Sequence, residues 1–113
     1  DFILYSGDDP TATQFMLKGG SGTISVTANV VPSRIAEICH QALSKNNQIA
    51  NKLDLELKEL NEILFIESNP IPVKWILNRL GRIPGGLRLP LVELNNKFHE
   101  KTELILKKLS LLN

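Results

Sequence analysis

Two adjacent carboxylates, Asp8 and Asp9, follow the apolar run 2–5 and are the first residues that could do acid/base chemistry. If that run is a buried strand, both lie at its C-terminal end, the active-site end of strands in an α/β barrel. We therefore expect Asp8 in a pocket wall or at the pocket mouth. For Asp9 we favour a structural role, because an Asp-Pro pair is typical of a helix start, with Asp9 as the cap.

One glycine directly precedes these carboxylates, and a group of three follows them ten or more residues later. Gly7 precedes them and allows either a close backbone approach or a positive φ. Glycines 19, 20 and 22 resemble a phosphate-binding loop, but they precede a β-branched run. Phosphate-binding loops follow a strand and open a helix, so we expect no phosphate site here.

The remaining chemically active side chains are scattered. Cys39 and His40 are neighbours on a predicted helix and point about 100° apart, so they cannot share a metal ion. His99 has no other ligand at a suitable spacing. The lysines lie on predicted helices or at their ends, whereas an imine-forming lysine should project from a strand into a dry pocket. The sequence therefore predicts no metal site and no catalytic residue within the chain.

The elements that position these residues are a strand over 2–5, a short helix that Gly19 and Gly20 end, and a strand over 23–28. A connection of about 17 residues with a helix suits a parallel crossover. This is the repeat unit of an α/β barrel. From about residue 46 onward the pattern is helical, so we predict an α/β fold: the last two β/α units of a barrel over 1–45 and an all-α C-terminal domain over 46–113.

The helices follow from apolar periodicity and local caps. Ser33 is the expected cap of a helix with one apolar stripe, formed by Ile35, Ile38, Cys39, Ala42 and Leu43. A longer helix over 49–64 follows, with an inward face that we expect at the positions Ile49, Leu53, Leu57, Leu60, Ile63 and Leu64. Asn69-Pro70 is expected to cap the next helix, which Gly81 ends. Residues 82–90 predict a loop, and a last helix is expected over 91–109.

Composition excludes several classes of partner. The net charge is +1 and only 5% of the residues are aromatic, which argues against a nucleic-acid surface. No apolar run approaches the ~20 residues that span a bilayer, so we expect no membrane partner. The lone Cys39 excludes an internal disulfide and favours a reducing, cytoplasmic location. Two barrel strands also need neighbouring strands, so we expect the chain to be the C-terminal part of a larger enzyme.

Four segments, taken in order, carry a family resemblance. They are Ser-Gly-Asp-Asp at 6–9, Gly-Gly-Ser-Gly-Thr-Ile-Ser-Val-Thr-Ala-Asn-Val at 19–30, Asn-Pro-Ile-Pro-Val-Lys at 69–74 and Leu-Arg-Leu-Pro at 87–90. Together they resemble the C-terminal portion of the dihydrodipicolinate (4-hydroxy-tetrahydrodipicolinate) synthase family. This family belongs to the pyruvate-dependent class I aldolases, a group that also includes N-acetylneuraminate lyase.

The resemblance implies a (β/α)8 barrel with a C-terminal helical domain, in most members a homotetramer. It implies a lyase that condenses pyruvate with L-aspartate semialdehyde in lysine and diaminopimelate biosynthesis, through an imine (Schiff base) on a strand lysine, without an organic cofactor or catalytic metal. Ile24 matches a main-chain contact to pyruvate, Gly7 the pocket wall beside it, and Asp8 a position near the entrance.

The family's imine-forming lysine, assisting tyrosine, proton-relay hydroxyls and substrate-binding arginine all precede the matched region. The chain alone is therefore expected to be inactive and to need the N-terminal part of the enzyme as its partner. Two alternatives stay open. One is a stand-alone helical module with a structural or binding role, and the other is a sister pyruvate aldolase that uses another aldehyde.

Overall fold

The structure is a computed structural model that describes all 113 residues. The chain divides into two compact units, residues 1–61 and residues 62–113. The first unit holds a small parallel sheet and helices, and the second holds helices and irregular segments. None of the helices combines the length and the apolar character that a membrane crossing requires.

The first unit begins with a β-α-β arrangement. Strand β1 (Tyr5–Ser6) pairs in parallel with strand β2 (Gly22–Thr23), with Tyr5 opposite Gly22 and Ser6 opposite Thr23. Helix α1 (Asp9–Leu17) connects them. The expected parallel crossover and the α/β character are confirmed, but the strands are only two residues long.

The expected first strand over 2–5 is wrong in its position and in its burial. Only Tyr5 belongs to β1, and Phe2, Ile3, Leu4 and Tyr5 are 88, 64, 52 and 61% exposed. The sheet within this chain has two strands, so nothing in the sheet covers the far side of β1. Most of the apolar surface of this segment is therefore left uncovered within the chain.

The expected second strand over 23–28 is also too long. Strand β2 ends at Thr23, and Val26 has helical backbone angles, with φ −72° and ψ −42°. Thr27–Asn29 then forms a 3₁₀ turn. A β-branched run favours strand only weakly, and here side-chain hydrogen bonds to the backbone of Val26 and Thr27 favour the turn instead.

Helix α1 ends where the glycines predict. Gly19 has a φ of +112°, the left-handed conformation that glycine adopts without strain. The Gly20 N–H donates to the Phe15 carbonyl at 3.0 Å and the Gly19 N–H to the Met16 carbonyl at 3.1 Å, which together close the helix in a Schellman motif.

Helices α2 (Pro32–Leu43) and α3 (Asn47–Glu56) pack against one another in the first unit. Ser33 is not the cap, because Pro32 already occupies the first helical position and Val31 is the cap residue. Ile38 and Ala42 are buried as expected, whereas Leu43 is exposed.

Lys45, between these two helices, has a left-handed φ of 61°, which is uncommon for a side chain with a Cβ. Its Nζ donates to the Met16 and Leu17 carbonyl oxygens, each at 3.2 Å. A lysine at a helix C-terminus offsets the partial negative charge of the unpaired carbonyls there. Lys45 therefore joins the α2–α3 turn to the end of α1.

The expected long helix over 49–64 is interrupted. It forms α3 and a second helix, α4 (Lys58–Ile63), on either side of Leu57. The Leu57 N–H donates to the Asp54 carbonyl three residues back at 3.0 Å, so the last turn of α3 tightens. Leu57, Leu60 and Ile63 are buried, whereas Ile49 is 49% exposed, contrary to expectation.

The second unit contains helices α5 (Ile71–Arg79) and α6 (His99–Lys108). Gly81 follows α5 as predicted, and 82–90 forms no helix or strand. The expected cap Asn69-Pro70 is a cis peptide bond, and Pro70 is the cap residue. The last helix starts later than expected, because Asn95 accepts a hydrogen bond from the Lys97 N–H at 3.0 Å and opens a 3₁₀ turn over Asn96–Phe98.

An ion pair on the surface of the second unit predicts a pH dependence. Arg79 Nε donates to Glu103 Oε1 at 2.6 Å, and this hydrogen bond holds the pKa of Glu103 below its ordinary value of 4.5. The folded unit thus binds fewer protons than the unfolded one, so the pair stabilises above the ordinary pKa and loses that effect as pH falls below it.

We expect the free energy of unfolding of this unit to fall less steeply at acid pH in Glu103→Gln than in wild type. The difference should be small, because the pair is exposed. Urea unfolding at several pH values, followed by the fluorescence of Trp75, the single tryptophan, measures this. Glu100→Gln on the same helix is the control and should keep the wild-type slope. An unchanged profile in Glu103→Gln would contradict the assignment.

Candidate functional site

Three residues assigned to a site from the sequence, Gly7, Asp8 and Ile24, lie at the carboxyl end of the two paired strands. Gly7 follows β1 and Ile24 follows β2. The Ile24 N–H donates to the Ser6 carbonyl at 2.8 Å, which continues the parallel pairing one step beyond the strands. The structure therefore brings Gly7 and Ile24 to the same edge of the sheet.

Gly7 lies in open space. A Cβ built on it would meet no atom within 4 Å, and its φ is not in the left-handed region. Neither a positive φ nor a close contact within the chain therefore requires a glycine at this position, and its backbone is open to a group from outside the chain.

Asp8 is the cap residue of α1, a role that the Asp-Pro pair predicts for Asp9 instead. Its carboxylate Oδ2 accepts a hydrogen bond from Thr11 Oγ1 at 2.5 Å, and its own N–H donates to Ser6 Oγ at 3.1 Å. The residue is exposed. The Asp8 carboxylate thus lies at the N-terminal, positive end of the α1 dipole, just after the carboxyl end of β1.

Asp9 does not have the role of α1 cap that its sequence context predicts. It is only 5% exposed, and it is the first residue of α1 rather than its cap. Its Oδ2 accepts from the Val26 N–H at 2.9 Å and the Thr27 N–H at 3.1 Å, and its Oδ1 accepts from the Ser25 hydroxyl. Asp9 therefore caps the turn after β2, 16 to 18 residues away.

Ile24 presents its main chain and an exposed side chain at this edge. Its side chain is 76% exposed, and its carbonyl oxygen accepts no hydrogen bond within the chain. The next residue, Ser25, is held on both sides, since its hydroxyl donates to Asp9 and accepts from the Ala28 N–H at 2.9 Å. A fixed, unpaired carbonyl can accept an N–H or O–H from a bound small molecule.

A second buried hydrogen bond supports the same turn. Thr27 is fully buried, and its Oγ1 donates to Asn61 Oδ1 on α4 at 2.6 Å. Neither residue was recognised from the sequence, because a threonine in a β-branched run and an asparagine on a helix are both ordinary. Only their contact reveals the role, which is to hold the 3₁₀ turn in place.

The cysteine, histidine and lysine side chains are not arranged for catalysis or metal binding within this chain. Burial raises the pKa of the Cys39 thiol, which therefore stays protonated at neutral pH. His99 stacks on Trp75 with ring centroids 4.5 Å apart, and its Nε2 lies 2.9 Å from the Leu94 carbonyl oxygen. No group of three or more His, Cys, Asp or Glu side chains is arranged to hold a metal ion. No lysine lies in either strand.

The groups at the carboxyl ends of the two strands are therefore able to bind a small molecule. They are a free main-chain carbonyl at Ile24, an uncovered backbone at Gly7 and a carboxylate at Asp8. Such groups suit the binding of a small polar molecule.

Comparison with known proteins identifies the family. The profile of the dihydrodipicolinate synthetase family matches residues 1–109. The 4-hydroxy-tetrahydrodipicolinate synthase of Laribacter hongkongensis is 52% identical over 112 residues, which are 99% of this chain and 38% of that protein. The chain thus spans about two fifths of the length of the curated relatives it matches.

Solved structures agree with this match. The chloride-inhibited dihydrodipicolinate synthase of Acinetobacter baumannii, complexed with pyruvate, superposes with a TM-score of 0.96 at 45% identity, over 98% of this chain and 38% of that one. A monomeric dihydrodipicolinate synthase variant gives 0.94 at 40% identity, over 98% of this chain and 37% of that one. The chain belongs to the dihydrodipicolinate synthetase family.

Proposed function

We propose that this chain is the C-terminal part of a 4-hydroxy-tetrahydrodipicolinate synthase, a lyase that condenses pyruvate with L-aspartate semialdehyde on the route to lysine and diaminopimelate. The observation that carries the proposal is the match of residues 1–109 to the family, together with the 0.96 superposition on a pyruvate-bound member. In this proposal 1–45 form the last two β/α units of a (β/α)8 barrel and 46–113 form the helical domain.

The apolar segment that leads into β1 supports a partnership with further barrel strands. Residues 2–5 are apolar and mostly exposed, and they lead into a sheet of only two strands. Exposed apolar residues beside an unpaired strand edge favour association with another strand. The N-terminal part of the same enzyme would supply that cover, since the relatives are more than twice as long.

The family resemblance suggests the roles that we propose for the residues at the carboxyl ends of the strands, and the local geometry supports them. The free carbonyl of Ile24 makes the main-chain contact to the pyruvate-derived group, and the uncovered backbone of Gly7 forms the wall beside it. Asp8 lies near the entrance, where its exposed carboxylate meets incoming substrate. These residues bind and orient, while the lysine that forms the imine lies outside this chain.

Several further properties belong to the same proposal. The enzyme needs no organic cofactor, because the imine itself activates the substrate. We propose a homotetramer in the cytoplasm. The free, half-buried Cys39 is compatible with a reducing compartment.

A hybrid enzyme tests the proposed function. The matching C-terminal region of the Laribacter hongkongensis enzyme is replaced with this chain, and the condensation of pyruvate with L-aspartate semialdehyde is measured. We expect an active hybrid. Treatment with pyruvate and borohydride should add one reduced pyruvate group to a lysine outside residues 1–113, as located by peptide mass spectrometry.

The chain alone is the control for this experiment, and it should acquire no adduct, since its lysines lie on helices or in turns. An inactive but folded hybrid, or a specific adduct on a lysine of this chain, would refute the proposal. Activity with a different aldehyde in place of aspartate semialdehyde would indicate a sister aldolase instead.

A further inference from the structure

We infer that Asp9 is a positioning residue for the pyruvate site: its buried carboxylate clamps the turn after β2 and so fixes the main chain of Ile24. This inference rests on the proposed function, because it assigns Asp9 a role through the pyruvate contact at Ile24. Asp9 is 5% exposed, and its carboxylate is occupied by Ser25, Val26 and Thr27.

The argument starts from how Ile24 is held. On one side, its N–H is bonded to the Ser6 carbonyl at 2.8 Å, which ties it to β1. On the other side, Ser25 and the two following N–H groups are bonded to Asp9. The peptide between Ile24 and Ser25 therefore has anchors at both ends, and its unpaired carbonyl has a defined direction.

The Asp9 carboxylate also links the two segments that form the site, 7–9 after β1 and 24–27 after β2. Asp9 directly follows Gly7 and Asp8, while its hydrogen-bond partners directly follow Ile24. A clamp between these segments fixes the distance between the Gly7 backbone and the Ile24 carbonyl. Displacement of a binding group by about 1 Å can cost a large factor in binding and rate.

The arrangement of the oxygens allows a sharp comparison of two variants. Both backbone N–H groups bond to Oδ2, while Oδ1 meets only the Ser25 hydroxyl, which can also accept a hydrogen bond. In Asp9→Asn the amide oxygen can take the place of Oδ2 and the amide NH₂ can donate to Ser25. Asparagine thus keeps the clamp without its charge, whereas alanine removes the clamp.

The test uses the complete hybrid enzyme. We expect Asp9→Ala to raise the KM for pyruvate about tenfold, with a smaller change in the KM for aspartate semialdehyde. Asp9→Asn should restore the pyruvate KM to within about threefold of wild type. A role that depended on the charge itself, as in proton transfer, would leave asparagine as impaired as alanine, and that result would overturn the inference.

An unchanged pyruvate KM in Asp9→Ala would overturn it as well. If the alanine variant does not fold, Ser25→Ala carries the test, since it removes the hydroxyl between Asp9 and the Ala28 N–H. We expect a raised pyruvate KM in Ser25→Ala, and an unchanged value would count against positioning. Failure of the proposed function is separate, because the wild-type hybrid itself would then be inactive.

Discussion

Alanine at position 9 should lower the free energy of unfolding of the 1–61 unit by about 3 kcal/mol, since buried groups left without a partner each cost about 1–3 kcal/mol. The substitution leaves the N–H groups of Val26 and Thr27 without their acceptor, and it removes the acceptor of the Ser25 hydroxyl. Water that enters the space left by the carboxylate should replace part of this loss.

Urea unfolding followed by far-UV circular dichroism measures the change, and hydrogen exchange locates it. The Val26 and Thr27 amides should exchange much faster in Asp9→Ala than in wild type. Asp8→Ala is the comparison variant, because Asp8 is the exposed cap residue of α1 and its carboxylate makes one hydrogen bond, to Thr11, so we expect a smaller loss of about 1 kcal/mol. A loss in Asp9→Ala no larger than that in Asp8→Ala would show that the clamp adds no stability beyond that of an exposed helix cap.

Truncation of Leu106 should destabilise the 62–113 unit by about 3 kcal/mol, within the range of about 2–5 kcal/mol for buried leucines. Leu106 lies on α6 and is fully buried. Alanine would remove apolar contacts and leave a cavity that the surroundings fill only in part.

Leu104→Ala provides the matched control on the same helix, two residues away. Leu104 is 52% exposed, so its truncation should change the stability by less than about 0.5 kcal/mol. Urea unfolding followed by Trp75 fluorescence reports on this unit in both variants. A comparable loss in Leu104→Ala would mean that the helix buries a different face from the one described.

Helix ends were predicted best, because the residues that determine them are local. Gly19 and Gly81 both adopt a positive φ where a helix was expected to stop. The parallel crossover was also predicted from the length of the connection and its helix. The start of the last helix was not, because Asn95 opens a 3₁₀ turn that periodicity does not reveal.

The candidate site was predicted in part. Asp8 lies just after a strand, as the sequence predicts, whereas Gly7 and Ile24 are assigned to the site by the family resemblance and not by their spacing. The substrate contacts of all three stay a prediction. The part played by Asp9 could not be predicted. Helix capping is enough to account for an Asp-Pro pair at a helix start. Nothing in the spacing of Asp9 indicates a contact with Val26 or Thr27.

Short-range information was sufficient for the helix stops, the turn glycines and the α/β order, because these depend on backbone geometry and on neighbours within a few residues. Contacts between distant segments decided the rest. The Asp9 carboxylate ends β2 early, and the partner of Thr27 lies 34 residues away on α4. A buried polar group must find a partner wherever the fold offers one, and that requirement overrides the weak strand preference of a β-branched run.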